Sequence, residues 1–186
     1  MSSLTCELLK PVGSFDDIPK CEFQFLRALA QSLEKFRPAV FVQDRTKSVK
    51  AIVSDEMNSL AEKFSFELTE SFDLTASTYP GKPHANLRID FFLRCKCRSA
   101  ESHVFGLEIC LDNRIVMGTN VAKALSLQSK YPGSDTVFLT LERDLLDSGG
   151  WDAAYADSEI YYQDIFHFYS EIVTGQQTIL SVGVNR

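Results

Sequence analysis

The chain has 186 residues, of which 45% are hydrophobic and 24% are charged, a balance that excludes a disordered chain and a disulfide-stapled mini-protein. Its 19 basic and 25 acidic side chains give a formal net charge of −6, which excludes a uniformly basic surface but not a local basic face. We predict a single domain over residues 1–186, a cytoplasmic location and no membrane-spanning segment, since no apolar run approaches the roughly 20 residues that cross a bilayer.

Two amphipathic helices are predicted in the first third of the chain. Between about residues 21 and 37, apolar side chains recur at spacings of three and four from Leu26 to Phe36, and Pro38 ends this first helix. The second helix spans about residues 45–63, with an apolar stripe that runs from Val49 to Phe64.

Strands dominate the middle of the chain. Residues 65–78 predict a strand with a break near Glu70 and Ser71, and residues 79–83 predict a turn. Two stronger strands are predicted from Leu87 to Arg98 and from Val104 to Asp112. The polar loop at 99–102 is short enough to join them as an antiparallel hairpin.

The last third of the chain alternates helices and strands. A helix is predicted at 116–131 and a strand at 136–141. An aromatic-rich helix is predicted at 151–172 and a final strand at 177–184. This order of elements predicts an α/β (or α+β) fold.

The five cysteines are an odd number, and none belongs to a Cys-x-x-Cys pair, which argues against a disulfide framework and a zinc knuckle. They are Cys6, Cys21, Cys95, Cys97 and Cys110. We expect reduced, packed thiols, since free cysteine is among the most frequently buried residue types.

The predicted hairpin separates an apolar face from a charged one, because successive side chains of a strand point to opposite faces. Odd positions of the first strand are apolar: Ile89, Phe91, Leu93, Cys95 and Cys97. Even positions, Phe92 apart, are charged: Arg88, Asp90, Arg94, Lys96 and Arg98. If both strands direct their apolar faces to one core, Asp90 and Glu108 share the opposite side of the sheet.

Two neighbouring carboxylates repel each other unless a cation lies between them. Oxygen ligands of this kind suit Mg²⁺ or Mn²⁺, and the surrounding basic side chains suit a polyanion such as a phosphodiester. A solvated outer face of the sheet is the alternative interpretation of the charged positions. Glu108 favours a site, because its strand is an almost continuous apolar run in which an unpaired carboxylate is costly.

Over about residues 45–141 the hairpin resembles the core of the PD-(D/E)xK nuclease superfamily, which includes most type II restriction endonucleases. In that family an acid on one strand precedes an acid, any residue and a lysine on the next. Ile89-Asp90 matches the first half of the motif, and Glu108-Ile109-Cys110 matches the second. The resemblance implies a restriction-endonuclease-like core at about 45–142, a central mixed sheet flanked by helices, with the terminal elements packed on it.

The chain departs from the family pattern in two places. Ile89 replaces the motif proline, and Cys110 stands where the lysine is expected. Some family members take this lysine from the following helix, where Lys123 could supply the charge here; the alternative is a solvent-facing lysine. By the same resemblance Glu56 is an accessory metal ligand, with a solvated helix face as its alternative.

These observations predict a Mg²⁺- or Mn²⁺-dependent DNA endonuclease, with Asp90, Glu108 and Glu56 at the metal and with Cys110 and Lys123 completing the catalytic site. Double-stranded DNA is the expected partner of six polar or basic residues: Arg88, Arg94, Lys96, Arg98, Asn113 and Arg114. A homodimer is expected, with the aromatic helix as a candidate interface.

Three other hypotheses remain open at this point. The first is a catalytically degenerate member of the same fold that binds nucleic acid or a protein without cleaving. The second is an unrelated interaction domain whose charged strip is only surface. The third is an enzyme with Cys110 as nucleophile, which needs a nearby base that the sequence does not identify.

Overall fold

The computed structural model describes residues 3–39, 45–74, 87–96, 103–110, 114–141, 145 and 176–184, without the side chains of 45–48 and 114–118. Its strands, in chain order, are β1 (Leu4–Leu9), β2 (Phe66–Asp73), β3 (Arg88–Cys95), β4 (Val104–Cys110), β5 (Asp135–Leu141) and β6 (Gln176–Val184). Its helices are α1 (Lys20–Leu33), α2 (Arg45–Lys63) and α3 (Arg114–Lys130), with a short 3-10 turn at Phe15–Asp17.

The six strands form one mixed sheet in the order β1-β6-β5-β4-β3-β2. Strands β2, β3 and β4 are antiparallel neighbours, whereas β4, β5 and β6 run parallel, and β1 pairs antiparallel with β6. Helix α3 connects the parallel strands β4 and β5, which is the usual crossover between parallel neighbours. The predicted α/β class with a mixed sheet is confirmed.

Helices cover both faces of the sheet. On one face, α1 and α2 pack Phe25 and Met57 against Phe91, Phe105 and Leu107 of the central strands. On the other face, residues of α3 pack against two smaller clusters of strand residues. Every residue of β4 and β5 is buried as a result. The apolar run around Glu108 is therefore a strand covered on both sides, as its composition predicted.

Several boundaries differ from the sequence predictions. Helix α1 ends at Leu33, four residues before the predicted end, and β1 was not predicted at all. Strand β2 contains the predicted irregularity, because Ser71 has a φ of 52° in the left-handed region. The turn at 79–83, the loop at 99–102 and the helix at 151–172 lie outside the described residues.

The alternation predicted for β3 is wrong at Ile89. Phe91 and Leu93 belong to the core under α1 and α2, but Ile89 packs on the other face with Phe92 and Leu127. The β3–β4 ladder ends at the Phe91 pair, and the β2–β3 ladder skips Asp90 before it resumes at Ile89, so the regular alternation of side chains is interrupted at Asp90. Strands β3 and β4 separate at this point, which is also where Asp90 lies.

The expectation of reduced thiols is wrong at Cys95, which is disulfide-bonded. Cys6, Cys21 and Cys110 form no disulfide bond, and Cys97 lies outside the described residues.

Side chains of α3 and β3 both approach strand β4 closely at Gly106. A Cβ atom there would lie 2.3 Å from Cδ1 of Ile89 and 2.9 Å from Cδ2 of Leu127, both of which are fully buried. We expect Gly106→Ala to lower the free energy of unfolding by about 1–3 kcal/mol, measured by urea denaturation, because a packed core resists added volume. Ile89→Val removes the nearest methyl group, so adding it to Gly106→Ala should recover part of the loss. An unchanged urea midpoint in Gly106→Ala would contradict this account.

Candidate functional site

The structure brings the carboxylates of Asp90 and Glu108 together where β3 and β4 separate. The backbone N–H of Asp90 donates to Oε2 of Glu108 at 3.0 Å, and the N–H of Ile109 donates to Oδ2 of Asp90 at 3.0 Å. Each side chain thus accepts from an amide of the neighbouring strand beyond the last regular backbone pair. This reciprocal bonding fixes both carboxylates relative to the sheet.

Each carboxylate also contacts one lysine, and the two lysines come from helices on opposite faces of the sheet. Lys123 of α3 donates to Oε1 of Glu108 in a pair that is largely buried. Lys50 of α2 donates to Oδ1 of Asp90 at 2.9 Å. The interpretation that Lys123 turns toward the strands is therefore the one that the geometry shows, whereas Lys50 was not anticipated.

Burial dominates the electrostatics of this group. Burial, and next the charge of Asp90, raises the pKa of Glu108 from 4.5 to about 7, although Lys123 and the Asp90 N–H act in the opposite direction. The hydrogen bond to Asp90 is the main reason that the pKa of Lys50 is raised. A bound cation near Glu108 would favour its ionised form, so metal binding here is expected to compete with a proton.

Cys110 occupies the lysine position of the family motif, but it lies in the core beneath α3. Its thiol donates to the carbonyl oxygen of Glu108 at 3.7 Å and accepts from Nδ2 of Asn120 at 3.5 Å. The side chain packs with Ala124 and Phe138. Since Asn120 and Lys123 lie within one turn of α3, this helix presents an amide to Cys110 and an ammonium group to Glu108.

The structure does not bring Glu56 to the other two acids. The Glu56 carboxylate accepts a hydrogen bond from the hydroxyl of Ser32 in α1. Six residues separate Glu56 from Lys50, which corresponds to a rotation of about 240° around the helix. The α2 side chain that reaches Asp90 is therefore Lys50, and the prediction of Glu56 as a metal ligand beside Asp90 is corrected.

The predicted basic strip extends along β3 instead of surrounding Asp90. Arg88 is exposed and lies opposite Asp73. Arg94 is partly buried, with its guanidinium carbon 5.9 Å from the ring centre of Phe92. It follows Asp90 by four residues, or about 13 Å along a strand. Exposed Lys96 is farther still, while Arg98, Asn113 and the side chain of Arg114 lie outside the described residues.

A second polar cluster, which sequence reasoning missed, lies at the amino-terminal ends of β4 and β5. The Glu22 carboxylate of α1 contacts Nε2 of His103, and its own side chain is fully buried. Asp135, also fully buried, accepts from the Thr178 hydroxyl at 2.6 Å and lies 3.7 Å from the Lys10 ammonium group. We name Glu22, His103, Asp135 and Lys10 the lower cluster.

The lower cluster places two buried carboxyl groups, those of Glu22 and Asp135, close together. Burial, then the charge of Asp135 and a hydrogen bond with it, raise the pKa of Glu22 well above its ordinary value. Oε1 of Glu22 and Oδ1 of Asp135 are both buried, and neither has a donor among the described residues. A proton on Glu22 gives this pair a donor, so we assign a neutral Glu22. The signal in the sequence was an acid four residues before Leu26, on the apolar stripe of α1.

The oxygen atoms of Asp90 and Glu108 are of the kind that a hard cation prefers. Within the described ranges, no group of three or more histidine, cysteine, aspartate or glutamate side chains is placed to hold a metal ion. Among the described residues, the candidate ligands at this position are thus two, the carboxylates of Asp90 and Glu108. Mg²⁺ commonly binds through one or two carboxylates and retains several waters, so this pair fits Mg²⁺ or Mn²⁺ and not a zinc site of nitrogen and sulfur ligands.

Comparison of the chain with protein-family models, curated proteins and solved structures found no match. None of the described helices is long and apolar enough to cross a membrane. The chemistry of the side chains at the separating strands therefore carries the functional interpretation.

Proposed function

We propose that this protein is a metal-dependent DNA endonuclease with a restriction-endonuclease-like core. The observation that carries the proposal is the meeting of Asp90 from β3, Glu108 from β4 and Lys123 from α3 at one end of the sheet. An acid on each of two neighbouring strands and an ammonium group from the next helix form the combination of charges that the family resemblance implies. In this chain the ammonium group comes from Lys123 of the helix, because Cys110 stands at the strand position where the motif has its lysine.

Each residue has a defined role in this proposal. Asp90 and Glu108 hold Mg²⁺ or Mn²⁺, with the backbone amides of the two strands fixing their oxygens. When bound, the cation supplies a water of lowered pKa and stabilises the charge that develops on the phosphodiester. Lys123 offsets the charge on Glu108 and on the substrate phosphate. Arg88 and Lys96 contact the DNA backbone on either side.

The expected form of the enzyme follows from its substrate. Cleavage of both strands of a duplex by one kind of active site is achieved by a two-fold dimer, in which each protomer acts on one strand. We therefore propose a homodimer that acts on double-stranded DNA in the cytoplasm. Sedimentation with and without a duplex would measure the assembly.

A plasmid-cleavage assay tests the proposal. We expect the wild-type protein to convert supercoiled DNA to nicked and linear forms with Mg²⁺ or Mn²⁺, and to do so no longer after chelation. Asp90→Asn and Glu108→Gln keep the side-chain shapes but remove the charges that bind the cation, so both variants should lose cleavage. Asp55→Asn is the matched control, since Asp55 is an exposed acid on α2. Cleavage that survives both site substitutions would overturn the proposed site.

A non-cleaving DNA-binding protein is the second candidate. The observation that favours it is that Lys50 and Lys123 already neutralise the two carboxylates, while Cys110 occupies the family's lysine position. This candidate predicts DNA binding that needs no divalent cation, and no cleavage with either metal. A gel-shift assay in chelator, run beside the cleavage assay, separates the two functions.

A further inference from the structure

Lys50 is an unassigned cation at the proposed metal site. Its ammonium group lies 2.9 Å from Oδ1 of Asp90, whereas Oδ2 of the same carboxylate accepts the backbone N–H of Ile109. We propose that Lys50 is an exchangeable internal cation that competes with the divalent metal for Asp90 and is displaced when the metal binds. This inference rests on the proposed function, because it concerns the same pair of carboxylates.

The two lysines differ in how easily they can leave. The Lys50 side chain is 47% exposed and that of Asp90 is 18% exposed, whereas the Lys123 and Glu108 side chains are only 14% and 5% exposed. A long, half-exposed lysine forms a weak ion pair and regains rotational freedom when it is released. Lys123 is held among buried groups. Lys50 is therefore the lysine that yields to a metal ion, and Lys123 is the one that stays.

A second acid offers a counter-charge to the displaced ammonium group. The charge of Glu70 on β2 acts on Lys50, as does that of Asp90. Ser54 donates to Oε1 of Glu70 at 2.5 Å, and Asn58 donates to the same atom at 3.1 Å. Lys50, Ser54 and Asn58 follow one another at intervals of four residues, so they lie along one face of α2. This face holds Glu70 next to Lys50, so the displaced lysine remains close to an acid.

Manganese affinity tests this inference without using cleavage as its readout. We would titrate Mn²⁺ into the full chain and follow the free ion by electron paramagnetic resonance. Lys50→Met, which keeps the length of the side chain, should bind Mn²⁺ about fivefold more tightly than the wild type, which corresponds to about 1 kcal/mol. Lys50→Arg should retain the wild-type affinity. Lys63→Met, at an exposed position on the same helix, should leave the affinity unchanged.

The possible outcomes separate this inference from the proposed function. If Asp90→Asn removes Mn²⁺ binding but Lys50→Met binds no more tightly than the wild type, the metal site stands and the competition is refuted. If neither the wild type nor Lys50→Met binds Mn²⁺, both are refuted. Tighter binding in Lys50→Met that persists after Asp90→Asn is added would place the ion elsewhere and refute the competition. Thermal melts of each variant confirm that the compared proteins are folded.

Discussion

Replacing Lys123 by methionine is expected to lower the free energy of unfolding by about 3 kcal/mol at about pH 9, because it leaves a buried carboxylate without its ion-pair partner. The Glu108 side chain is 5% exposed, so water screens little of this cost. Urea denaturation of the wild type and of Lys123→Met at several pH values measures the difference.

The pH dependence follows from the proton on Glu108. Its pKa is raised from 4.5 to about 7 in the folded protein, chiefly by burial, so its contribution to stability falls as the pH rises between these values. Without Lys123 the folded-state pKa rises further, and the decline continues above pH 7. The loss caused by Lys123→Met should therefore be small at about pH 6, where Glu108 is mostly protonated, and largest at about pH 9.

A double variant provides the control. Glu108→Gln removes the buried charge, so Glu108→Gln/Lys123→Met should be more stable at about pH 9 than Lys123→Met alone. Equal stabilities of Lys123→Met and the wild type at this pH would contradict the buried ion pair. If the proposed function holds, Lys123→Met should also slow plasmid cleavage by at least about a hundredfold at about pH 7.5, where Glu108 can ionise and bind the metal, with circular dichroism showing that the variant is folded under the assay conditions.

Much of the sheet could be predicted because local pattern and pairing agree there. The hairpin register pairs Phe91 with Leu107, both on the core face that the alternation of the two strands implied, but the ladder ends there, and Asp90 and Glu108 meet beyond it through side-chain hydrogen bonds. Strand β1 was missed for the opposite reason. It is a six-residue edge strand whose pairing partner, β6, begins more than 160 residues later, and such a long-range contact leaves no local signal.

Of the two lysines at the site, sequence reasoning could identify Lys123 but not Lys50. Lys123 could be named as a candidate because the family resemblance directs attention to the helix after β4. Nothing in the local sequence distinguishes Lys50 from the other polar residues on the outer face of α2, and its partner Asp90 is 40 residues away. Glu56 was selected by analogy with family members, but the rotation of α2 that brings Lys50 to the sheet turns Glu56 toward α1.

The lower cluster leads to a second prediction on stability. Glu22 faces Asp135, Lys10, His103 and its own neighbour Cys21. Burial and then the charge of Asp135 raise the pKa of Glu22, whereas the charge of Lys10 lowers it. A raised folded-state pKa means that the folded protein binds the Glu22 proton more tightly than the unfolded chain. The stability that Glu22 contributes is therefore complete below its ordinary pKa and declines as the pH rises toward the folded-state value.

Glu22→Gln removes this titration but keeps a hydrogen-bond donor toward Asp135. We expect the variant to gain stability relative to the wild type as the pH rises from about 5 to about 9, because only the wild type then loses the proton that Glu22 holds in the folded state. Urea midpoints measure this difference. Burial lowers the pKa of His103, so its own contribution rises with pH up to about 6.5, but it is present in both proteins and largely cancels.

Glu22→Ala distinguishes the proton from the packing. Alanine leaves a cavity beside Asp135 and removes the donor, so we expect Glu22→Ala to be less stable than Glu22→Gln by about 2–4 kcal/mol at every pH. A parallel decline with pH in the wild type and in Glu22→Gln would show that Glu22 is ionised in the folded protein and that Lys10 alone neutralises the cluster. Since α1 covers the sheet through Phe25 and Leu29 immediately after Glu22, a neutral Glu22 lets this helix begin on a buried surface without an uncompensated charge.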